Sequence, residues 1–363
     1  MLKLALVFIF IPTVCFGESL HFNDDRLSFM GRVGNSSNSL EFEWPLSGFK
    51  TMVSGQGTIQ ATMNGGGAKF LVSLGSDRYV LDTLEGVHEY NLAEINCQDF
   101  ILLTVERVSE ARIFMLPSLL NLTSSKLYKL SGDGIKFQKA PKKERRIEIL
   151  GDSNSVGFGV LGEPGAPLTG LTNIIKQEDA SHAYPWDLAH RFNADLRVIA
   201  TSGKGVVKNA IDYRRFSSRP MPLHWDYGDY DMLQVWDFSV WQPDLFIIFL
   251  GGNDFKSYPY AALSNFTKSY HDLLKKARMR YPRAKILTIC GLLNSHQRFV
   301  CPGVSKAVRD YHAASNDTEL YSLFLDASEF GPEDWGAIQH LNSMGQKKLA
   351  GFIGDKITEV MGW

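Results

Sequence analysis

The chain has almost no net charge. Across 363 residues, 38 Lys and Arg stand against 39 Asp and Glu, a formal -1 with histidine neutral. Nucleic-acid binding rests on clustered cations, so that class of partner has no electrostatic support. The basic run Lys139 to Arg146 reads as part of a solvated linker. Cysteine is scarce, with four in all. The histidines are scattered and no His or Cys cluster has zinc-ligand spacing, so neither a metal nor another cofactor is expected. There are no internal repeats or low-complexity tracts. Apart from Leu4 to about Cys15, too short to span a bilayer, no run is long and apolar enough to be transmembrane.

What is present begins with that short run. Met1-Leu2-Lys3, the apolar stretch and Gly17-Glu18-Ser19 have the charge, length and small-residue exit of a secretory signal peptide. Residues 1–17 are therefore expected to be removed, leaving a protein that is secreted or periplasmic. Cys97, Cys290 and Cys301 would remain. In an oxidising compartment Cys290 and Cys301 are placed to close a short loop, with Cys97 a small buried hydrophobe. The sequence leaves that pairing open. At 44% hydrophobic and 21% charged residues, the chain can bury a sizeable core and is long enough for two domains.

Two halves differ in period. Residues 20–123 break into short runs rich in Phe, Val, Ile, Thr and Tyr, separated by Gly, Ser and Asn clusters such as Asn64-Gly65-Gly66-Gly67. Alternation in Thr58 to Met63 adds to the case for an antiparallel β-sandwich. Residues 124–145 are polar and read as a linker. In residues 146–363 apolar strands (147–150, 196–200, 245–250, 286–290, 320–325) alternate with helical stretches (185–192, 263–281, 304–314, 343–360). Repeated βα units predict an α/β domain with a parallel sheet flanked by helices, whose ligands bind beyond the carboxyl ends of the strands.

Chemistry-bearing residues sit at those ends. Gly151-Asp152-Ser153 follows the first strand and Gly251-Gly252-Asn253-Asp254 the third, while His340 precedes the last helix. A serine hydroxyl needs a base to become a nucleophile, and the tetrahedral intermediate that it forms needs donors for its oxyanion. Ser153 is the candidate nucleophile and His340 the candidate base. The Ser153 backbone N–H, a glycine of the turn Ser202-Gly203-Lys204-Gly205 and the Asn253 side chain are candidate oxyanion donors. Gly203 and Gly205 remain alternatives. Asp152 and Asp254 are expected to anchor their own turns through backbone N–H groups.

These blocks, in this order, resemble the GDSL/SGNH hydrolase superfamily from about Arg146 to the C-terminus. The resemblance implies an SGNH-type, flavodoxin-like fold, with Ser153, Gly203 or Gly205, Asn253 and His340 as the catalytic and oxyanion residues. Arg146 to Ser153, Ser202 to Gly205, Trp241-Gln242-Pro243-Asp244 and Phe42-Glu43-Trp44-Pro45 look like carbohydrate esterase family 2. That family joins a jelly-roll domain to an SGNH domain and removes O-acetyl groups from polysaccharides such as xylan and mannan. Superfamily members usually place an Asp two or three residues before the histidine, where this chain has Ala337 and Ile338. Some members orient the histidine with a backbone carbonyl instead. Asp334 and Glu333 are the nearby carboxylates that offer a substitute. Leu341 stands where Pro is common.

Aromatic residues crowd positions 213–241, among them Trp225, Tyr227, Tyr230, Trp236 and Trp241, and Trp335 lies five residues before His340. Aromatic faces stack on sugar rings, so Trp335 and Trp236 are candidate substrate platforms, although core packing accounts for most such residues. The leading expectation is an exported O-acetylesterase acting on an acetylated polysaccharide or oligosaccharide. Its rivals are a lipase or lysophospholipase of the same superfamily and a glycan-binding protein with weak turnover.

Overall fold

The computed structural model describes residues 17–110, 124–165, 176–292 and 298–363. The expected signal peptide therefore lies almost entirely outside the described residues, as does the end of the first expected domain, 111–123.

An antiparallel jelly-roll-like sheet of ten strands comes first. Its spine is the pair Gly48–Asn64 and His88–Arg107, two long strands whose register slips between Val53 and Gly55 and again between Ile59 and Gln60. Such bulges bend a strand and increase its twist. The predicted alternation is present in Gly48–Asn64, where Ile59, Ala61 and Met63 are buried beside Phe49, Phe70, Val105 and Leu130. Half-burying a strand in this way selects apolar residues at every second position.

Residues 124–145 are not a linker. Ser125–Gly132 pairs with Gly48–Asn64, Leu40–Phe42 and Glu18–His21, and Ile135–Gln138 pairs with Gly48–Asn64. Only one face of these strands is buried, through Leu127, Leu130, Ile135 and Phe137. The Lys, Tyr and Gln between them gave the segment its polar look. The connection shrinks to residues 139–144, and Arg145 already belongs to the next sheet.

That second sheet is parallel, with five strands in the order Ala194–Ala200, Arg145–Gly151, Leu245–Ile248, Lys285–Cys290 and Leu320–Phe324. Both faces are covered, so the strands are predominantly apolar, with Glu148 a buried exception. Ile147 and Ile149 face one core with Leu188 of helix Tyr184–Arg191 and Leu349 and Ile353 of helix Ser343–Met361. Leu150, Phe246 and Ile248 face the other, with Leu274 of helix Leu263–Arg280 and Val304 of helix Val300–Ala314. Cys290 and Cys301 form a disulfide that ties the end of the fourth strand to the first turn of Val300–Ala314. Cys97 is free and half-buried rather than buried.

The two halves meet through buried polar contacts. Glu148 accepts from Arg32 at 3.0 Å, the Trp225 indole at 2.8 Å and the Tyr281 hydroxyl at 2.7 Å. The Trp44 indole donates to the Gly228 carbonyl at 2.8 Å. Most of the aromatic stretch serves this seam. Trp225 is fully buried, and Trp236 sits beside the guanidinium groups of Arg32 and Arg197 at 5.1 and 4.9 Å.

Candidate active site

The chain lays its second strand, Ala194–Ala200, on one side of Arg145–Gly151 and its third, Leu245–Ile248, on the other, so the order switches between Arg145–Gly151 and Leu245–Ile248, and the crevice beyond their carboxyl ends is where such folds bind ligands. A cavity of about 760 Å³ lies there, and Ser153, Gly203, Asn253, Trp335 and His340 all line it. Gly205 and Trp236 do not.

Ser153 opens the short helix Ser153–Val156, and the Asp152 side chain caps that helix by accepting from Asn154 N–H at 3.2 Å. Ser153 keeps only 7% of its surface exposed. Its Oγ lies 2.8 Å from His340 Nε2. The other ring nitrogen, Nδ1, lies 2.9 Å from the Ile338 carbonyl. A carbonyl can only accept, so Nδ1 carries the proton and Nε2 offers its lone pair to the serine hydroxyl.

The carbonyl is aimed by an unusual backbone. Ile338 has φ 58° and ψ 34°, and Gln339 follows with φ 60°. This left-handed region is disfavoured for a β-branched residue, and such strain costs about 1–3 kcal/mol per residue. The surrounding loop holds it in place. Ala337 N–H donates to the Gly159 carbonyl at 3.1 Å, and Asn342 N–H to the Asp334 carbonyl at 2.9 Å. Gly159, at φ 73°, leaves room for this approach, since a Cβ there would stand 2.6 Å from the Ala337 carbonyl oxygen.

Burial, aided by the nearby Lys256 ammonium, pushes the His340 imidazole down to about 4. The ring is therefore neutral at physiological pH, with Nε2 unprotonated and free to accept. The edge of Phe158 packs against it, with centroids 5.0 Å apart. Asp334 is not part of this relay. Its carboxylate accepts from Gly331 N–H at 2.9 Å and pairs with Lys348 at 3.3 Å.

The donor side is more constrained than the sequence suggests. Asn253 Nδ2 lies 3.1 Å from Asp152 Oδ2 and 2.8 Å from the Lys204 carbonyl. Both amide protons thus have acceptors, and donation to an oxyanion requires one of them to be shared or exchanged. Of the two glycines, Gly205 donates its N–H to Asn209 Oδ1 at 3.3 Å, and the space beside its Cα is filled by the Lys208 carbonyl and Asp254. Gly203 is the one at the cavity, with φ 79°. Asp254 anchors the neighbouring turn, accepting from the N–H groups of Val206, Val207 and Lys208 at 2.7–2.9 Å. Burial raises the carboxyls of Asp152 to about 7 and of Asp254 to about 6, against the usual value near 4.

Sequence reasoning missed three contributors. Lys256 and Phe158 line the cavity but carry no motif. Gln346 is fully buried; it accepts from Tyr184 N–H at 3.0 Å and donates to the Asn154 carbonyl at 3.2 Å, bracing the turn that holds Ser153. A lone amide on the apolar face of the last helix, in line with Leu349, Ile353 and Ile357, is the signal that would have found it.

The fold and this site define an α/β hydrolytic type, with a serine–imidazole pair at the carboxyl edge of a parallel sheet. Residues 149–348, more than half of the chain, match the GDSL-like lipase/acylhydrolase family, and the chain belongs to that family. The cellulase/esterase CelE of Acetivibrio thermocellus is 30% identical over 237 residues, which cover 63% of this chain and only 27% of that protein. An acetylxylan esterase/glucomannan deacetylase of Cellvibrio japonicus is 22% identical over 347 residues, 94% of this chain and 90% of that one. Among solved structures, a family two carbohydrate esterase from Cellvibrio japonicus superposes with a TM-score of 0.80 at 18% identity, covering 96% and 99% of the two chains. One from Clostridium thermocellum in complex with cellohexaose gives 0.77 at 23% identity, covering 93% and 99%.

Proposed function

We propose that this chain is an exported carbohydrate O-acetylesterase that works through an acetyl-serine intermediate. The observation that carries the reading is the aligned relay from the Ile338 carbonyl through His340 to Ser153 Oγ, which ends in the cavity. The names of the relatives, esterases of acetylated xylan and glucomannan among them, point to the same substrate class.

In this mechanism His340 Nε2 takes the hydroxyl proton while Ser153 Oγ bonds to the acetyl carbonyl carbon. The oxyanion is met by the N–H groups of Ser153 and Gly203 and by Asn253 Nδ2. The C–O bond to the sugar then breaks, and the departing sugar oxygen takes the proton from His340. Water repeats the sequence: His340 removes its proton, its oxygen attacks the acyl carbon, and Ser153 leaves with the proton as acetic acid is released. The Ile338 carbonyl keeps the ring in the required tautomer and steadies the imidazolium, the role that a carboxylate fills in a triad. Trp335, at the cavity wall, is the proposed sugar platform, and residues 1–17 are the proposed export signal.

A second reading has one observation in its favour. Ile211, Leu250, Ile289, Leu292 and Val300 give the cavity an apolar wall, which suits an acyl chain longer than acetyl. Acetate release from acetylated xylan or glucomannan, compared between the native chain and Ser153→Ala, tests the first reading. Nitrophenyl esters of increasing chain length separate the two, since a peak at acetate supports the sugar esterase and a peak at octanoate the lipase. Serine-independent release would overturn both.

A further inference from the structure

We infer that Glu110, carried by the N-terminal antiparallel domain, is a positioning residue for the proposed oxyanion hole: it grips Ser202 and so sets the Gly203 N–H at the cavity. The inference rests on the esterase reading and adds a residue from the other domain to it.

Ser202-Gly203 is the turn after strand Ala194–Ala200, and on the described residues of its own domain the Ser202 side chain has no hydrogen-bond partner. Its partner comes across the seam. The Ser202 N–H donates to Glu110 Oε2 at 2.8 Å, and its hydroxyl donates to Glu110 Oε1. One carboxylate thus fixes both the backbone and the side chain of the residue immediately before Gly203. A bidentate grip restrains rotation as well as position, because two donors on one residue must stay aligned with two oxygens. Ser202 and Glu110 are 2% exposed, so water does not compete for either bond.

Glu110 is itself held. Strand His88–Arg107 ends at Arg107, a fully buried guanidinium that donates to the Ser109 carbonyl at 2.9 Å and the Glu110 carbonyl at 3.0 Å. Val108 accepts from Ala180 N–H at 2.9 Å, and the Glu110 N–H donates to the Glu178 carboxyl group. The same stretch reaches the nucleophile turn, since Asp179 N–H donates to the carbonyl of Gly157, the C-cap of helix Ser153–Val156. The N-terminal domain therefore holds the Gly203 turn directly and reaches the Ser153 turn through residues 178–180. A buried carboxylate is costly without compensating donors, and burial raises the Glu110 carboxyl to about 7. Packing alone would be served by an apolar residue at that position. The placement of a carboxylate there is explained by what it holds.

The test compares the full chain with Glu110→Asp, Glu110→Gln, Ser202→Ala and Ser153→Ala. Nitrophenyl acetate turnover is read as kcat and KM, together with affinity for benzeneboronic acid, whose serine adduct places an oxygen in the oxyanion hole. Glu110→Asp withdraws the grip by one methylene, and displacing a donor in this way should lower kcat about 10–100-fold with KM within about twofold. Boronate affinity should fall in proportion. Gln keeps an acceptor for the Ser202 N–H and should retain kcat within about fivefold of the native chain, while Ser202→Ala, which removes one arm, should lie between. If Glu110→Asp does not fold, the order Gln above Ser202→Ala, with the matching boronate order, carries the test. If Ser153→Ala is inactive but Glu110→Asp and Ser202→Ala keep kcat and boronate affinity within about twofold, the inference is overturned. Loss of kcat with native boronate affinity overturns it too. Retained turnover in Ser153→Ala strikes the esterase reading itself.

Discussion

Replacing Asn253 by alanine removes an amide with two structural partners and one proposed catalytic duty, and the three effects can be separated. Loss of one oxyanion donor typically lowers kcat by about 10²–10³. The same change takes a donor from Asp152 Oδ2, at 3.1 Å, and from the Lys204 carbonyl, at 2.8 Å. Depriving a buried acceptor of its donor costs roughly 1–3 kcal/mol, so the two together cost about 2–6 kcal/mol of stability. The variant should melt several degrees lower yet remain folded at 25 °C, because this loss lies within the ~5–15 kcal/mol of a typical domain. Turnover of nitrophenyl acetate, measured well below the melting temperature, should show a reduced kcat and a KM close to the native value. An oxyanion donor acts only on the transition state, which is the reason for that split. A folded Asn253→Ala enzyme with kcat within about fivefold of the native chain would refute the assignment, since no typical oxyanion donor is worth so little.

Three further outcomes follow from the same geometry. Because burial lowers the His340 imidazole to about 4, the acid limb of kcat/KM should fall near pH 4, with a plateau through 6.5; a limb near 6.5 would place the working histidine in a solvated site. Ile338→Gly should relieve backbone strain of about 1–3 kcal/mol while freeing the carbonyl that orients His340, so stability should hold or rise as kcat falls. Unchanged kcat would remove the carbonyl from the relay. Asp152, raised from 3.8 to about 7, favours the fold when protonated and loses that advantage as pH climbs between those values. The stability of Asp152→Asn relative to the native chain should therefore increase from pH 4 to 7 and then level off, by about 4 kcal/mol at most. Chemical denaturation at a series of pH values reads this directly, and a pH-independent difference would contradict it.

Much of the α/β half was readable because strands buried on both faces are predominantly apolar. Leu245–Ile248 and Lys285–Cys290 announce themselves in this way. The turns after such strands are where ligands bind, which is why Ser153 and Asn253 stood out before any geometry was known. The N-terminal half gave less. Ser125–Gly132 buries only one face, and its alternate Lys and Ser residues made a strand look like a linker. The histidine's partner was hidden for a different reason, since any residue owns a carbonyl and only the left-handed turn at Ile338 aims this one. Asp334 attracted attention as a carboxylate near His340, but chain proximity says nothing about where a loop points it. Trp236 was equally ambiguous. Cation–π contacts at a domain seam and sugar stacking at a cleft call for the same ring, and only placement beside Arg32 and Arg197 distinguishes them.

The central claim is that Ser153 carries the acyl group. Rapid acid quenching during turnover of an acetyl ester, followed by peptide mass spectrometry, tests it most directly. An acetyl adduct should accumulate on the peptide containing Ser153, and His340→Ala should abolish its formation. Steady release of acetate with no adduct on that peptide, or with the adduct on another residue, would contradict the account.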